Sequence, residues 1–253
     1  MKTSIQYDGE SFQIDLSLPL DISIPLRGEE QNVAAWGLPH PKITPHRDGD
    51  FIGKVSEGAS VNFNDIAFNP HAHGTHTECV GHITEEFHSV NQNLDRFFFL
   101  AELISVAPEL QNDEWVLSKH ILEVALKKAR STEISALVIR TLPNDRSKLT
   151  RQYSGTNPPY LLEEAAAYLL EIGVEHLLID LPSIDRENDN GALRAHKAFW
   201  NFDGTLRKQA TITELIYVPD GITDGPYLLN LQVAAFENDA SPSRPVLYQI
   251  SEE

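Results

Sequence analysis

The chain has 253 residues, 41% hydrophobic and 23% charged, which is the balance of a soluble globular protein and enough length for one mixed α/β domain spanning 1–253 with a substantial core. Its 20 basic and 37 acidic residues give a formal charge of −17, which argues against a nucleic-acid partner, because holding a phosphate backbone relies on clustered Lys and Arg. No run approaches the roughly 18 apolar residues of a membrane span, the N-terminal residues 1–7 lack the apolar stretch of a signal peptide, and one cysteine forbids an internal disulfide, so a cytoplasmic location away from membranes is expected.

Residues 4–25 alternate apolar and polar: Ile5 and Tyr7, then Phe12, Ile14, Leu16, Leu18 and Leu20. With Gly9 between the two runs, the pattern predicts a β-hairpin leading into a longer strand. Residues 27–58 hold Pro39, Pro41 and Pro45 with Gly28, Gly37, Gly49 and Gly53, the composition of an irregular loop. A loop that long in a compact domain is usually functional or disordered. Trp36 in its middle is expected to line a substrate pocket, the plainer role being a buried anchor. Residues 61–68 alternate loosely and read as a strand delivering the chain into a histidine-rich segment.

Residues 69–82 hold four of the ten histidines, His71, His73, His76 and His82, together with Glu78. A packed core has no use for that density, whereas neutral imidazole and carboxylate are the donors preferred by zinc, manganese and similar divalent ions. If 75–80 is extended, His76 and Glu78 project from one face and Thr77 and Cys79 from the other. His82 continues the parity of the first pair, and an imidazole with an ordinary pKa near 6.5 suits acid–base work beside the metal. A third ligand is expected from upstream of Gly74, where His71 and His73 both sit on the opposite parity. A one-residue bulge near Gly74 would rephase His71, and an extra residue is absorbed more easily than a missing one, so His71 ranks above His73. The plain alternative is a histidine-rich surface loop.

Residues 83–88 read as a turn or short helix in which His88 is exposed or packed rather than a ligand. The apolar run 97–106, broken only by Glu102 and Ser105, predicts a strand covered on both faces. Ser118 caps a helix with Ile121, Leu122, Ala125, Leu126 and Ala129 at helical spacing, and Lys127, Lys128 and Arg130 favour its C-terminal end. A strand over 134–139, a helix over 160–172 ending at Gly173 and a strand over 174–179 predict a parallel crossover. The loop after that strand, Asp180-Leu181-Pro182-Ser183-Ile184-Asp185, is where an α/β sheet commonly builds a site, and Asp185 either orients a ligand or holds the loop by an Asx turn. Residues 192–200 read as a short helix carrying His196, and 211–218 as a strand or short helix containing Glu214. Residues 227–236 and 245–250 supply two last strands around a turn at 238–242. There is no G-x-S-x-G nucleophile elbow, and Cys79 is expected to face away from His76, so covalent catalysis is disfavoured.

His73-Gly74-Thr75-His76-Thr77-Glu78, with His82 four residues on, resembles the H-x-G-T-H-x-D-x-P-x-H signature of the cyclase family of metal-dependent hydrolases, which includes bacterial kynurenine formamidase and isatin hydrolase. Asp15-Leu16-Ser17, Leu181-Pro182-Ser183-Ile184-Asp185, Ala195-His196, Thr213-Glu214-Leu215 and Ser241-Pro242-Ser243-Arg244 fall in the family's order, so the resemblance covers most of the chain. Three positions depart from it: Ala72 stands where the first histidine would fall, Glu78 replaces aspartate, and Cys79-Val80 replaces Ala-Pro. The resemblance implies a single domain with a mixed β core, peripheral helices and the swivelling β/β/α architecture. It implies that His196 and Glu214 complete a second metal position bridged by Glu78, holding one or two divalent ions, zinc first and manganese second. It further implies a homo-oligomeric arylformamidase of tryptophan catabolism, in which metal-activated water cleaves a small amide or formamide such as N-formylkynurenine. A cyclic imide or lactam is the alternative substrate. Ala72 also keeps open a non-catalytic metal or small-acid binding protein of the same fold.

Overall fold

The computed structural model describes residues 1–7, 10–127, 129 and 135–252. At its centre the strands Phe98–Val106, Ala136–Thr141, His176–Ile179 and Thr211–Glu214 pair in parallel, in that spatial order. Their runs of Leu, Ile and Val suit a sheet covered on both faces. Leu137, Ile139, Leu177 and Ile179 enter one core, closed by Leu122, Leu169 and Phe199 from the helices Lys119–Leu126, Glu163–Glu171 and Arg194–Phe199. Val138 and Leu178 enter the opposite core with Ile22, Leu229 and Leu247. The helix Glu163–Glu171 lies in the crossover between Ala136–Thr141 and His176–Ile179, as the pattern of apolar residues predicts.

Antiparallel strands extend this centre both ways into an 11-stranded sheet. On one side come Gly225–Asn230, Val246–Glu252, Glu10–Asp15 and Lys2–Tyr7, with Leu20–Asp21 also paired to Val246–Glu252. On the other side Thr211–Glu214 is followed by His76–Glu78 and then Ala240–Pro242. The short strand His76–Glu78 is therefore enclosed by two neighbours, and each of its residues is buried. Among the described residues no helix is long and apolar enough to cross a membrane.

Several elements differ from the expectations set by sequence. The strand expected through residue 20 stops at Asp15, whose Oδ1 accepts a hydrogen bond from Ser17 N at 3.0 Å and turns the chain. The helix expected from 160 begins at Glu163, because Tyr160–Leu161 pairs in parallel with Val116 and Leu117. Within 27–58 the chain forms ribbons rather than irregular loop: Lys42–Pro45 pairs with Asn64–Ala67, and Arg47–Asp48 with Phe51–Ile52. Asn64–Ala67 is exposed throughout, so no buried face imposes an alternating pattern on the sequence. Residues 238–242, read as a turn, contain the edge strand Ala240–Pro242. Gly9, Lys128, Arg130 and Ile134, which carried parts of the expected hairpin, helix end and strand, lie outside the described residues.

Candidate metal centre

The upstream histidines are set by a helical turn, Pro70–His73, and not by a β-bulge. Asn69 Oδ1 accepts a hydrogen bond from His71 N at 2.9 Å, and Pro70 occupies the first helical position, where its missing N–H costs nothing. This turn carries His71 Nδ1 to 3.1 Å from Glu78 Oε2. His73 is buried elsewhere: its Nδ1 accepts from Asn69 N at 2.9 Å and its carbonyl from Asn32 Nδ2 at 2.8 Å. Burial lowers its pKa, and it does not join the cluster around Glu78.

Along His76–Glu78 the period of two holds. Thr77 Oγ1 meets Thr213 Oγ1 at 2.8 Å on the far face, and Cys79 Sγ turns to the His88 carbonyl at 3.3 Å. His76 Nδ1 lies 3.0 Å from the Gly74 carbonyl, which can only accept, so Nδ1 donates there and Nε2 is turned towards the cluster. His82 arrives not by strand parity but through a 3₁₀ turn, Val80–His82. Gly81 permits that turn, since a Cβ there would overlap the His88 carbonyl oxygen. His82 Nδ1 stands 3.9 Å from Glu78 Oε2 and 3.3 Å from Asp239 Oδ2. His88 itself is packed, 8% exposed, and outside the cluster.

The two distant residues converge on the same carboxylate. His196 Nε2 is 3.0 Å from Glu78 Oε1 and 3.8 Å from Glu214 Oε1, while His76 Nε2 is 3.5 Å from Glu214 Oε2. Asp185 makes no Asx turn. It accepts from Ala195 N at 2.8 Å, from His196 N at 3.1 Å and from His196 Nδ1 at 2.5 Å, which fixes the ring with Nε2 inward. Glu214 is tied to the adjacent loop by Ile184 N at 2.8 Å, and Leu215, with φ of 53°, turns the chain immediately after it.

The charged groups of the cluster act on one another at short range. Burial lowers the His71 pKa, but the hydrogen bond to Asp239 and the charges of Glu78 and Asp239 outweigh it and push it up to about 10. For His196, burial is likewise outweighed by hydrogen bonds to Asp185 and Glu78 and the charges of Glu78 and Glu214, and the value again reaches about 10. Burial raises Glu78, yet the neighbouring imidazoles hold it well below the ordinary range. Asp239 is lowered by its hydrogen bonds to His71 and His82.

A divalent cation fits this donor set. His76 Nε2 is buried with no hydrogen-bond partner, an orphaned donor atom aimed at a buried carboxylate. Donor atoms of His71, His76 and Glu78 lie within 4.8 Å of one another, as do those of Glu78, His82 and His196. Mixed imidazole and carboxylate donors are what zinc or manganese takes.

Asp239 completes a third such group with His71 and His82, and spacing gave no sign of it. It lies 157 positions from His82, and its one hint was its place two residues ahead of Ser241-Pro242. Trp36 is no buried anchor. It is 38% exposed, donates from Nε1 to the His71 carbonyl at 3.0 Å, and with Leu38, His71, His82, Ser183 and Leu193 lines a pocket of about 350 Å³.

Residues 14–186 match the family described as "Putative cyclase". The chain is 27% identical over 237 residues to kynurenine formamidase from Bacillus cereus (strain ATCC 14579), covering 91% of this chain and 97% of the relative. It is 25% identical over 232 residues to kynurenine formamidase from Bacillus anthracis, with the same coverage of 91% and 97%. Its fold is similar to that of isatin hydrolase A from Labrenzia aggregata, with a TM-score of 0.65 and 15% identity over 91% of this chain and 93% of the other.

Proposed function

The chain belongs to the cyclase family, and from that premise we propose that it is a metal-dependent hydrolase of a small amide or formamide, of the arylformamidase type. The observation that carries this reading is the buried, unpartnered His76 Nε2 beside Glu78 and His71, with His71, His82, His196 and Glu214 of the same cluster lining a pocket. His71, His76 and Glu78 would hold one ion, zinc before manganese, and Glu78, His196 and Glu214 a second. Such an ion, when bound, acidifies water and polarises a carbonyl oxygen.

The chain's own residues supply the rest. His82, with Nδ1 facing the Asp239 carboxylate, keeps Nε2 as the nitrogen that takes a proton from water and returns it to the leaving amine. Glu78 Oε2 and Asp239 Oδ2 lie 3.9 and 3.3 Å from its Nδ1 and hold the ring in place. Trp36 and Leu38 form an apolar wall for an aryl group next to the scissile carbonyl. Kynurenine formamidases among the relatives support an aryl formamide as substrate, and the likeness to isatin hydrolase keeps a cyclic amide as the second reading. The exposed Ile43, Phe63 and Ile66 of the ribbon region support a homo-oligomer.

The test compares metal-stripped and zinc-loaded protein on N-formylkynurenine and a panel of aryl formamides, alongside His82→Ala. Turnover by the loaded chain, falling about 10²–10⁴-fold in His82→Ala while metal content stays, supports the reading. A chain that holds zinc and hydrolyses no amide is a binding protein instead.

A further inference from the structure

One carboxylate oxygen touches two histidines of the metal centre. Asp239 Oδ2 lies 2.9 Å from His71 Nε2 and 3.3 Å from His82 Nδ1, and the two rings sit with centroids 4.4 Å apart at an interplanar angle of 32°. The carboxylate is not carried on a free loop. The Asp239 carbonyl accepts from Cys79 N at 2.9 Å, the Asn238 carbonyl accepts from Val90 N at 2.9 Å, and Ala240 is the cross-strand partner of Glu78. Asp239 is thus pinned to the same strand that presents His76 and Glu78.

His71 needs such a partner. Position 72 is a fully buried alanine, and the histidine beside it comes from a four-residue turn whose cap, Asn69, holds only backbone. Among the described residues, Asp239 is the hydrogen-bond partner of the outward ring nitrogen. Both ring nitrogens of His71 face a carboxylate, Nε2 that of Asp239 at 2.9 Å and Nδ1 that of Glu78 at 3.1 Å. With Nε2–H held by Asp239, Nδ1 is the nitrogen left to give up its proton to a cation beside Glu78; in His82, whose Nδ1 faces Asp239, Nε2 is the nitrogen left free.

We propose that Asp239 is a positioning residue that selects, with a single oxygen, the metal-facing nitrogen of His71 and the proton-accepting nitrogen of His82. The His82 half rests on the hydrolase reading; the His71 half requires only that the cluster bind a metal. The same three residues could instead ligate an ion of their own, and the experiment separates the two.

Full-length Asp239→Ala and the isosteric Asp239→Asn are each stripped of metal and titrated with zinc against a chromogenic chelator, with the melting temperature as a check on folding. Positioning is supported if zinc affinity falls about 10–100-fold in Asp239→Ala at unchanged stoichiometry, with Asp239→Asn between it and the parent. On a formamide substrate kcat should drop by a similar factor with KM little altered. Unchanged zinc affinity in the folded variants overturns the proposal. So does loss of one whole ion per chain with the remaining affinity intact, which makes Asp239 a ligand. If zinc affinity falls but the parent chain cleaves no formamide, the positioning of His71 stands and the hydrolase reading alone fails.

Discussion

The Asp185 carboxylate joins the imidazole of His196 at 2.5 Å while also accepting both backbone N–H groups at the start of the same helix. One side chain therefore ties the loop after His176–Ile179 to the helix Arg194–Phe199 and aims that helix's histidine at Glu78. Replacing Asp185 by Ala should lower the melting temperature through loss of a cap worth about 0.5–2 kcal/mol. It should also weaken the zinc binding proposed for His196 about 10–100-fold. Zinc stoichiometry measured at limiting metal checks the second effect, and normal occupancy would show that His196 needs no orienting partner.

The two upstream histidines should part company on substitution. His71→Ala removes a donor from the cluster and should abolish tight zinc binding with little change in fold. His73→Ala strips the acceptor from the part-buried Asn69 N–H and should cost about 0.5–1.5 kcal/mol in urea unfolding while the metal stays bound. Elemental analysis of the two variants decides the matter, and zinc lost from His73→Ala alone would reverse the assignment.

Metal and protons should compete. The His71 and His196 pKa values, both raised to about 10, leave these rings protonated in the metal-free chain at neutral pH. Zinc uptake should then release a proton from each ring, and apparent affinity should climb with pH until about 10. Titration calorimetry in buffers of different ionisation enthalpy measures that release. In the metal-free chain the same imidazolium ions stabilise the fold below their unfolded pKa of about 6.5, and that contribution disappears as pH rises towards 10.

His176 has the opposite sign and lies away from the cluster. Burial, then the positive charges of Arg96 and Arg207, lower its pKa to about 3, and its Nδ1 meets Thr211 Oγ1 at 2.9 Å. Above pH 6.5 it is neutral whether folded or not. As pH falls from there towards 3 the unfolded chain takes up a proton that the fold refuses, so stability drops by up to about 1.4 kcal/mol per pH unit. Urea unfolding of His176→Asn across pH 4 to 7 should show a shallower slope than the parent, and equal slopes would place the acid sensitivity elsewhere.

How far the sequence revealed the centre depended on the range of each interaction. His76 and Glu78 were legible because a strand repeats every two residues, and the flanking Thr77 does face the other way. His71, ranked above His73 as a ligand, is the one of the two that the structure brings to Glu78, but by a helical turn rather than a bulge. Asn69-Pro70 is a helix-start pair, and reading it so would have replaced the bulge with a turn. The parallel crossover was legible from long apolar runs. The ribbon at Lys42–Pro45 was not, because with exposed Ile43 and Ile66 it has no buried side to impose a period. Asp239 was invisible for a different reason: its place depends on the register of Ala240 against Glu78, and no local pattern specifies a pairing across so much chain.

That pairing carries a consequence for biosynthesis. The strand bearing His76 and Glu78 is completed by neighbours from Thr211–Glu214 and Ala240–Pro242, so a ribosome must translate nearly all of this chain before the cavity can assemble. A nascent polypeptide displaying residues 71–82 alone offers a metal only a loose, solvated handful of imidazoles. Tight capture is deferred until the polypeptide can also fold around it.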